Sequence, residues 1–138
     1  MKVMAIDYGR TKIGIALTDP LGIIAQPYLS IPYISKKGLI KRLKCICEEN
    51  SVGLILVGNP LRHNGKDSEM SGEIKKFAYD LKKLLKIKVH LWDERFTSQL
   101  ATKVLKDHSI KSKNLDQISA SLMLEEFLKQ KNDFSKEC

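Results

Sequence analysis

Val3-Met4-Ala5-Ile6-Asp7-Tyr8-Gly9-Arg10-Thr11-Lys12-Ile13-Gly14-Ile15-Ala16-Leu17-Thr18-Asp19 is the stretch on which the fold turns. Four apolar residues, Val3 to Ile6, end on a carboxylate, which is the pattern of a short strand running out of a core. Tyr8-Gly9-Arg10-Thr11 reads as a turn. Ile13, Ile15 and Leu17 alternate with smaller residues, so a second strand returns beside the first. Asp19-Pro20-Leu21-Gly22 carries proline second and glycine fourth, as a type I turn prefers. A third strand is expected to begin over Ile23–Gln26 and to continue in broken form to about Ile31. The three make an antiparallel meander.

The pattern then changes period. Leu39, Ile40, Leu43, Ile46 and Cys47 fall on one helical face. Val52–Val57 is a continuous apolar run closed by Gly58, which predicts a parallel strand buried on both faces. Met70, Ile74, Phe77, Ala78, Leu81, Leu84 and Leu85 mark a long amphipathic helix, and Val89–Trp92 a further short strand. Leu100, Ala101, Val104 and Leu105 predict a third helix, and Leu115–Leu128 a fourth. The order β-β-β-α-β-α-β-α-α predicts an α/β fold. Its sheet is mixed and five-stranded, a three-stranded antiparallel meander plus two parallel strands, flanked by helices. The carboxyl ends of the first, fourth and fifth strands then share the edge where open α/β sheets bind ligands. Asp7, Gly58 and Asp93-Glu94 lie there.

A chain of 138 residues is one domain's worth. Residues 1–130 are expected to form it, with a flexible tail over 131–138. Cys45, Cys47 and Cys138 have no C-x-x-C spacing, as in reduced cytosolic proteins. No signal-peptide pattern opens the sequence, and the longest apolar run, Val52–Val57, is far too short to span a bilayer. A cytoplasmic protein without a membrane partner is therefore expected. The 24 Lys and Arg against 16 Asp and Glu give a net charge of +8, which favours a polyanionic partner.

Each acid at the predicted edge has an ordinary explanation when taken alone. Asp7 could start a turn, Asp93-Glu94-Arg95 could be a surface ion-pair cluster, and Asp116 could answer a helix dipole behind an Asn114 cap. Asp116, however, shares a helical face with Ala120, Met123 and Phe127, which turns it toward the sheet. Taken together, carboxylates at two neighbouring strand ends and on the helix packing over them can hold hard divalent ions through oxygen ligands. Two such ions suit phosphodiester hydrolysis without a side-chain nucleophile. His63, His90 and His108 lack zinc-ligand spacing, and G-x-S-x-G and P-loop motifs are absent from the sequence. Gly58-Asn59-Pro60-Leu61-Arg62-His63-Asn64-Gly65 is a turn-rich segment beside the acids. Lys111 and Lys113 precede Asp116. Arg10, Lys12, Arg62, Lys111 and Lys113 are the candidate phosphate contacts. Lys36, Lys37, Lys41, Arg42 and Lys44 cluster on the first helix. Lys75, Lys76, Lys82, Lys83 and Lys86 lie opposite the apolar stripe of the second and read as a solvated face.

Four motifs resemble the YqgF (RuvX-like) family: residues 7–19 of the opening stretch; Val57-Gly58-x-Pro60 with Asn64-Gly65; Asp93-Glu94-Arg95-Phe96-Thr97; and Lys113-x-x-Asp116-x-x-Ser119-Ala120. The resemblance covers about Val3 to Leu128. It implies a ribonuclease H-like fold related to RuvC resolvases and a nuclease for the 5′ end of pre-16S ribosomal RNA, some members being described as Holliday junction resolvases. By position, the catalytic and metal-holding triad would be Asp7, Glu94 and Asp116, with Asp93 and Arg95 secondary and Mg²⁺ or Mn²⁺ as cofactor. Asn59 stands where the family usually has an apolar residue, Arg62-His63 replaces an Asn-Met-like pair, and Ser119 replaces an alanine. Precursor ribosomal RNA, branched DNA and ribosomal particles are the implied partners, for a monomer or weak homodimer. A non-catalytic nucleic-acid-binding module is the alternative from another class, and retention of all three acids counts against it. Sequence leaves RNA against DNA, endonuclease against exonuclease, and Mg²⁺ against Mn²⁺ open. The charge makes one prediction: affinity for nucleic acid falls steeply as salt rises, and a titration that stays flat would count against phosphate-dominated binding.

Overall fold

The computed structural model describes residues 1–61, 64–94 and 115–136. The third predicted helix, the Asn114 cap, Arg62, His63, Arg95, Lys111 and Lys113 lie outside the described residues. Strands β1 (Lys2–Tyr8), β2 (Lys12–Thr18) and β3 (Ala25–Pro32) form the expected meander. Helix α1 (Lys36–Asn50), β4 (Val52–Asn59), α2 (Ser71–Leu85) and β5 (Lys88–Asp93) follow, and α3 (Leu115–Lys136) ends the described chain. The five strands order as β3-β2-β1-β4-β5. β1 pairs parallel with β4, and β4 with β5, so the mixed sheet is the predicted one.

Local chemistry places the ends of these elements. The Asp19 Oδ1 accepts from the backbone N–H groups of Ile23 at 2.7 Å and Ile24 at 2.8 Å, and the Gly22 N–H donates to the Asp19 carbonyl at 2.9 Å. Those two isoleucines are thereby held in the turn, and β3 starts at Ala25 rather than Ile23. The Ser35 hydroxyl caps α1 by accepting from the Gly38 N–H at 3.1 Å, and Ser51 ends the helix in the left-handed region. α3 runs beyond Leu128 to Lys136, into the stretch expected as a tail.

The sheet has two unlike faces. Met4, Ile6, Tyr8, Ile13, Ile15, Leu17, Ile55 and Val57 point to one side and pack with α1 and α2 around Leu43, Phe77 and Leu81. Val3, Ala5, Ala16, Leu56 and Trp92 point to the other and meet Ala120, Met123, Leu124 and Leu128 of α3. Cys47 belongs to the first core; burial, with Glu48 nearby, pushes its thiol up to about 11 and keeps it protonated.

The second face is lined with small residues because α3 comes very near it. A Cβ on Gly14 would strike the backbone of Asp116 and Gln117. A glycine inside a strand marks such a close approach. Gly14→Ala should therefore lower the free energy of unfolding by about 1–3 kcal/mol in urea titrations. Gly72→Ala, in the first turn of α2 where nothing lies within 4 Å of the added carbon, should be neutral or stabilising by up to about 1 kcal/mol. Equal effects at the two positions would mean that α3 does not sit on Gly14.

Candidate active site

β1 delivers Asp7 to the carboxyl edge of the sheet on the α3 side, the face it shares with Val3 and Ala5. Its cross-strand partner on β2 is Gly14, and the backbone of Asp116 rests against that glycine. One missing side chain thus sets the first turn of α3 beside Asp7. On the other flank, Gly58 pairs with Trp92 and Asn59 with Asp93. Glu94 follows directly, and its carboxyl group folds back over Gly58. A Cβ there would strike the Glu94 carboxylate and come within 3.0 Å of the Met123 Sδ. The residue patterns placed Gly58 at this edge but missed Gly14. The signal at Gly14 was present, since it interrupts an alternating strand, but it becomes readable only once the helix on top is known.

The acids are partly buried, and their protons report it. Burial first, and then the Asp116 charge, raise Asp7 from 3.8 to about 6. Burial, then Asp7, then Asp93 raise Glu94 from 4.5 to about 7. Asp7 is thus common to two repelling pairs, one with Asp116 and one with Glu94. Among the described residues no three His, Cys, Asp or Glu side chains stand close enough together to form a finished ligand cluster. The donor set is nonetheless all oxygen, which suits a hard divalent ion.

The wall behind these acids is held by hydrogen bonds. Asn59, only 5% exposed, accepts through Oδ1 from the Ser71 hydroxyl at 2.9 Å. The Ser71 oxygen in turn accepts from the Ser68 N–H at 2.8 Å. An apolar residue at position 59 could not make this link between the end of β4 and the start of α2. The Tyr8 hydroxyl donates to Glu73 at 3.3 Å, tying β1 to α2. Of the basic candidates, Arg10 is exposed and its Nε contacts the Met70 sulfur at 3.1 Å. Lys12 is exposed at the start of β2.

A meander continued by parallel strands, with acids at the carboxyl edge and a helix laid over them, defines the class: a ribonuclease H-like α/β protein. The family model "RuvX: Holliday junction resolvase" matches residues 1–130. The chain is 39% identical over 134 residues to a "Putative pre-16S rRNA nuclease" of Koribacter versatilis, covering 94% of this chain and 88% of that one. It is 34% identical over 132 residues to a protein of the same name from Maridesulfovibrio salexigens, covering 93% and 98%. The chain therefore belongs to the RuvX family. Membership carries with it the enzyme class, a hydrolase acting on nucleic acid. Two solved structures share the fold at 12% identity. Thermus thermophilus RuvC in complex with a Holliday junction has a TM-score of 0.62 over 95% of this chain and 96% of that one. The fowlpox virus resolvase with its junction DNA has 0.54 over 94% and 98%. Among the described residues no helix is long and apolar enough to cross a membrane.

The raised carboxyls make the metal-free protein sensitive to pH. Both bind protons more tightly folded than unfolded, so their stabilising contribution is complete below about pH 4 and is lost as pH rises through about 7. With chelator present, stability should fall across that window by several kcal/mol. Asp7→Asn should flatten the fall and be more stable than the parent above neutrality. Urea unfolding at several pH values measures this, and parallel profiles for parent and variant would contradict the burial of Asp7.

Proposed function

We propose that the chain is a metal-dependent nuclease in which Asp7, Glu94 and Asp116 hold Mg²⁺ or Mn²⁺, and that it processes the 5′ end of pre-16S ribosomal RNA in the cytoplasm. The observation that carries the reading is the pairing of Asp7 with both Asp116 and Glu94 in a partly buried setting. Such a setting costs stability in the empty protein, and a divalent cation would relieve it. When bound, the ions polarise the phosphate and activate the attacking water. The chain supplies the rest. β1 and the β5 end present Asp7 and Glu94 from a rigid sheet, and α3 brings Asp116 from above. The Asn59–Ser71 link steadies the wall, and Asp93 and Arg95 play secondary parts, Asp93 orienting Arg95 or the loop. Arg10, Lys12, Arg62, Lys111 and Lys113 meet phosphates of the substrate. The names of the relatives favour precursor ribosomal RNA.

The family description favours a second reading, cleavage of a four-way DNA junction. Symmetric cutting of two strands needs a two-fold dimer, whereas one cut in a precursor RNA does not. Incubating the protein with both substrates, and measuring its mass in dilute solution, separates the two.

Cleavage should require Mg²⁺ or Mn²⁺ and cease in excess EDTA. Asp7→Asn, Glu94→Gln and Asp116→Asn should each lower it by at least about a hundredfold while the fold survives and nucleic acid still binds. Asp93→Asn should be milder. An Asp116→Asn enzyme that cuts at the parental rate would remove Asp116 from the site and favour Asp93 in its place.

A further inference from the structure

Helix α2 lays Ile74, Phe77, Ala78 and Leu81 on the sheet and turns its opposite face to solvent. Tyr79 sits in the middle of that outer face, 66% exposed. Lys75 and Lys76 precede it by four and three positions, and Lys82 and Lys83 follow it by three and four. On a helix those are the four positions that neighbour a side chain. The ring is therefore framed by ammonium groups at both ends, over a length of about 12 Å.

Solvation explains the lysines but not the tyrosine, whose large apolar ring is left in water at the centre of a charged face. The carboxylates nearby already have partners. Asp67 pairs with Lys75 at 2.7 Å, and Asp80 pairs with Lys36 of α1. Lys76, Lys82 and Lys83 form no salt bridge among the described residues. A groove of about 380 Å³ continues the patch between α2 and α1, lined by Lys36, Lys37, Ile40, Asp80 and Leu84.

We propose that the outer face of α2 is a second nucleic-acid contact, a platform for a single strand, with Tyr79 stacking on one base and Lys76, Lys82 and Lys83 meeting the phosphates on either side. Cationic side chains flanking an aromatic ring are the chemistry by which proteins hold single strands without reading their sequence. A duplex is a poor fit, because its bases are already stacked on one another. The sheet separates this face from the carboxylate edge beneath α3, so the platform holds strand outside the cleft. The inference rests on the nuclease reading for the nature of its ligand.

The test is equilibrium binding of a labelled single-stranded oligoribonucleotide of mixed sequence to the full chain in EDTA, with the matching duplex as comparison. Tyr79→Ala should weaken single-strand binding by at least about fivefold and Tyr79→Phe should restore it. Replacing Lys76, Lys82 and Lys83 by glutamine should lower the slope of log affinity against log salt by about 0.7 for each phosphate that is no longer neutralised. Photocrosslinking with 5-iodouridine should mark the tryptic peptide Phe77–Lys82. All these positions are on an exposed helix face, and thermal melts of each variant check that the fold is intact. Parental affinity in folded Tyr79→Ala, an unchanged salt slope in the glutamine variant, or crosslinks confined to other peptides would overturn the platform. Because binding is read without cleavage, a protein that binds through α2 yet cuts nothing would defeat the carboxylate site and leave this inference standing.

Discussion

The approach of α3 to Gly14 is the contact on which the site depends. A helix backbone can rest on a strand only where no side chain intervenes, and here the residue that touches the strand is Asp116 itself. Gly14 pairs with Asp7 across the ladder, so the same contact that closes the second core also brings two carboxylates together. Ala5 and Ala16 continue the small surface beneath the helix, and Leu56 and Trp92 fill the space farther along it. Packing and chemistry meet in one place, through the backbone of Asp116 on Gly14.

That arrangement sets stability against function. Two carboxyl groups are held where burial and neighbouring charge both oppose ionisation. The cost must be met by the remainder of the fold. The opposite face meets it, with an uninterrupted core from Met4 and Ile6 through Leu43 and Ile55 to Phe77 and Leu81. Polar groups that enter it near the edge are satisfied, Tyr8 on Glu73 and Asn59 on Ser71. Side chains that form hydrogen bonds at that depth cost little and fix geometry, which suits a wall standing behind reactive groups. A cation among the acids would turn their mutual repulsion into attraction, so the feature that weakens the empty protein is the one that would bind the ion.

The two faces of the sheet also differ in what they offer a long polyanion. The α3 side presents carboxylates, which phosphate approaches only with a cation between. The α2 side presents lysines around Tyr79 and needs no intermediary.

Sequence by itself determined the strands, the meander and the side of β1 on which Asp7 emerges, because the period of apolar residues reports which face each element buries. It also determined that Asp116 turns inward, since Ala120, Met123 and Phe127 share its helical face. Asp93-Glu94 and Asp116 were legible in two separate motifs, and family resemblance singled out Glu94 from its neighbour. What only the tertiary structure decided is distance. Gly14 read as a small residue in a strand until α3 is seen lying on it, and Gly58 was placed at the edge without the Glu94 carboxylate that rests over it. Asn59 read as a departure until Ser71 is found within 2.9 Å. The lysines of α2 read as a solvated face until Tyr79 proved to be the exposed ring among them. The reason is the same in each case. Periodicity encodes which way a side chain points, whereas the partner it meets comes from far along the chain, and only packing brings that partner near.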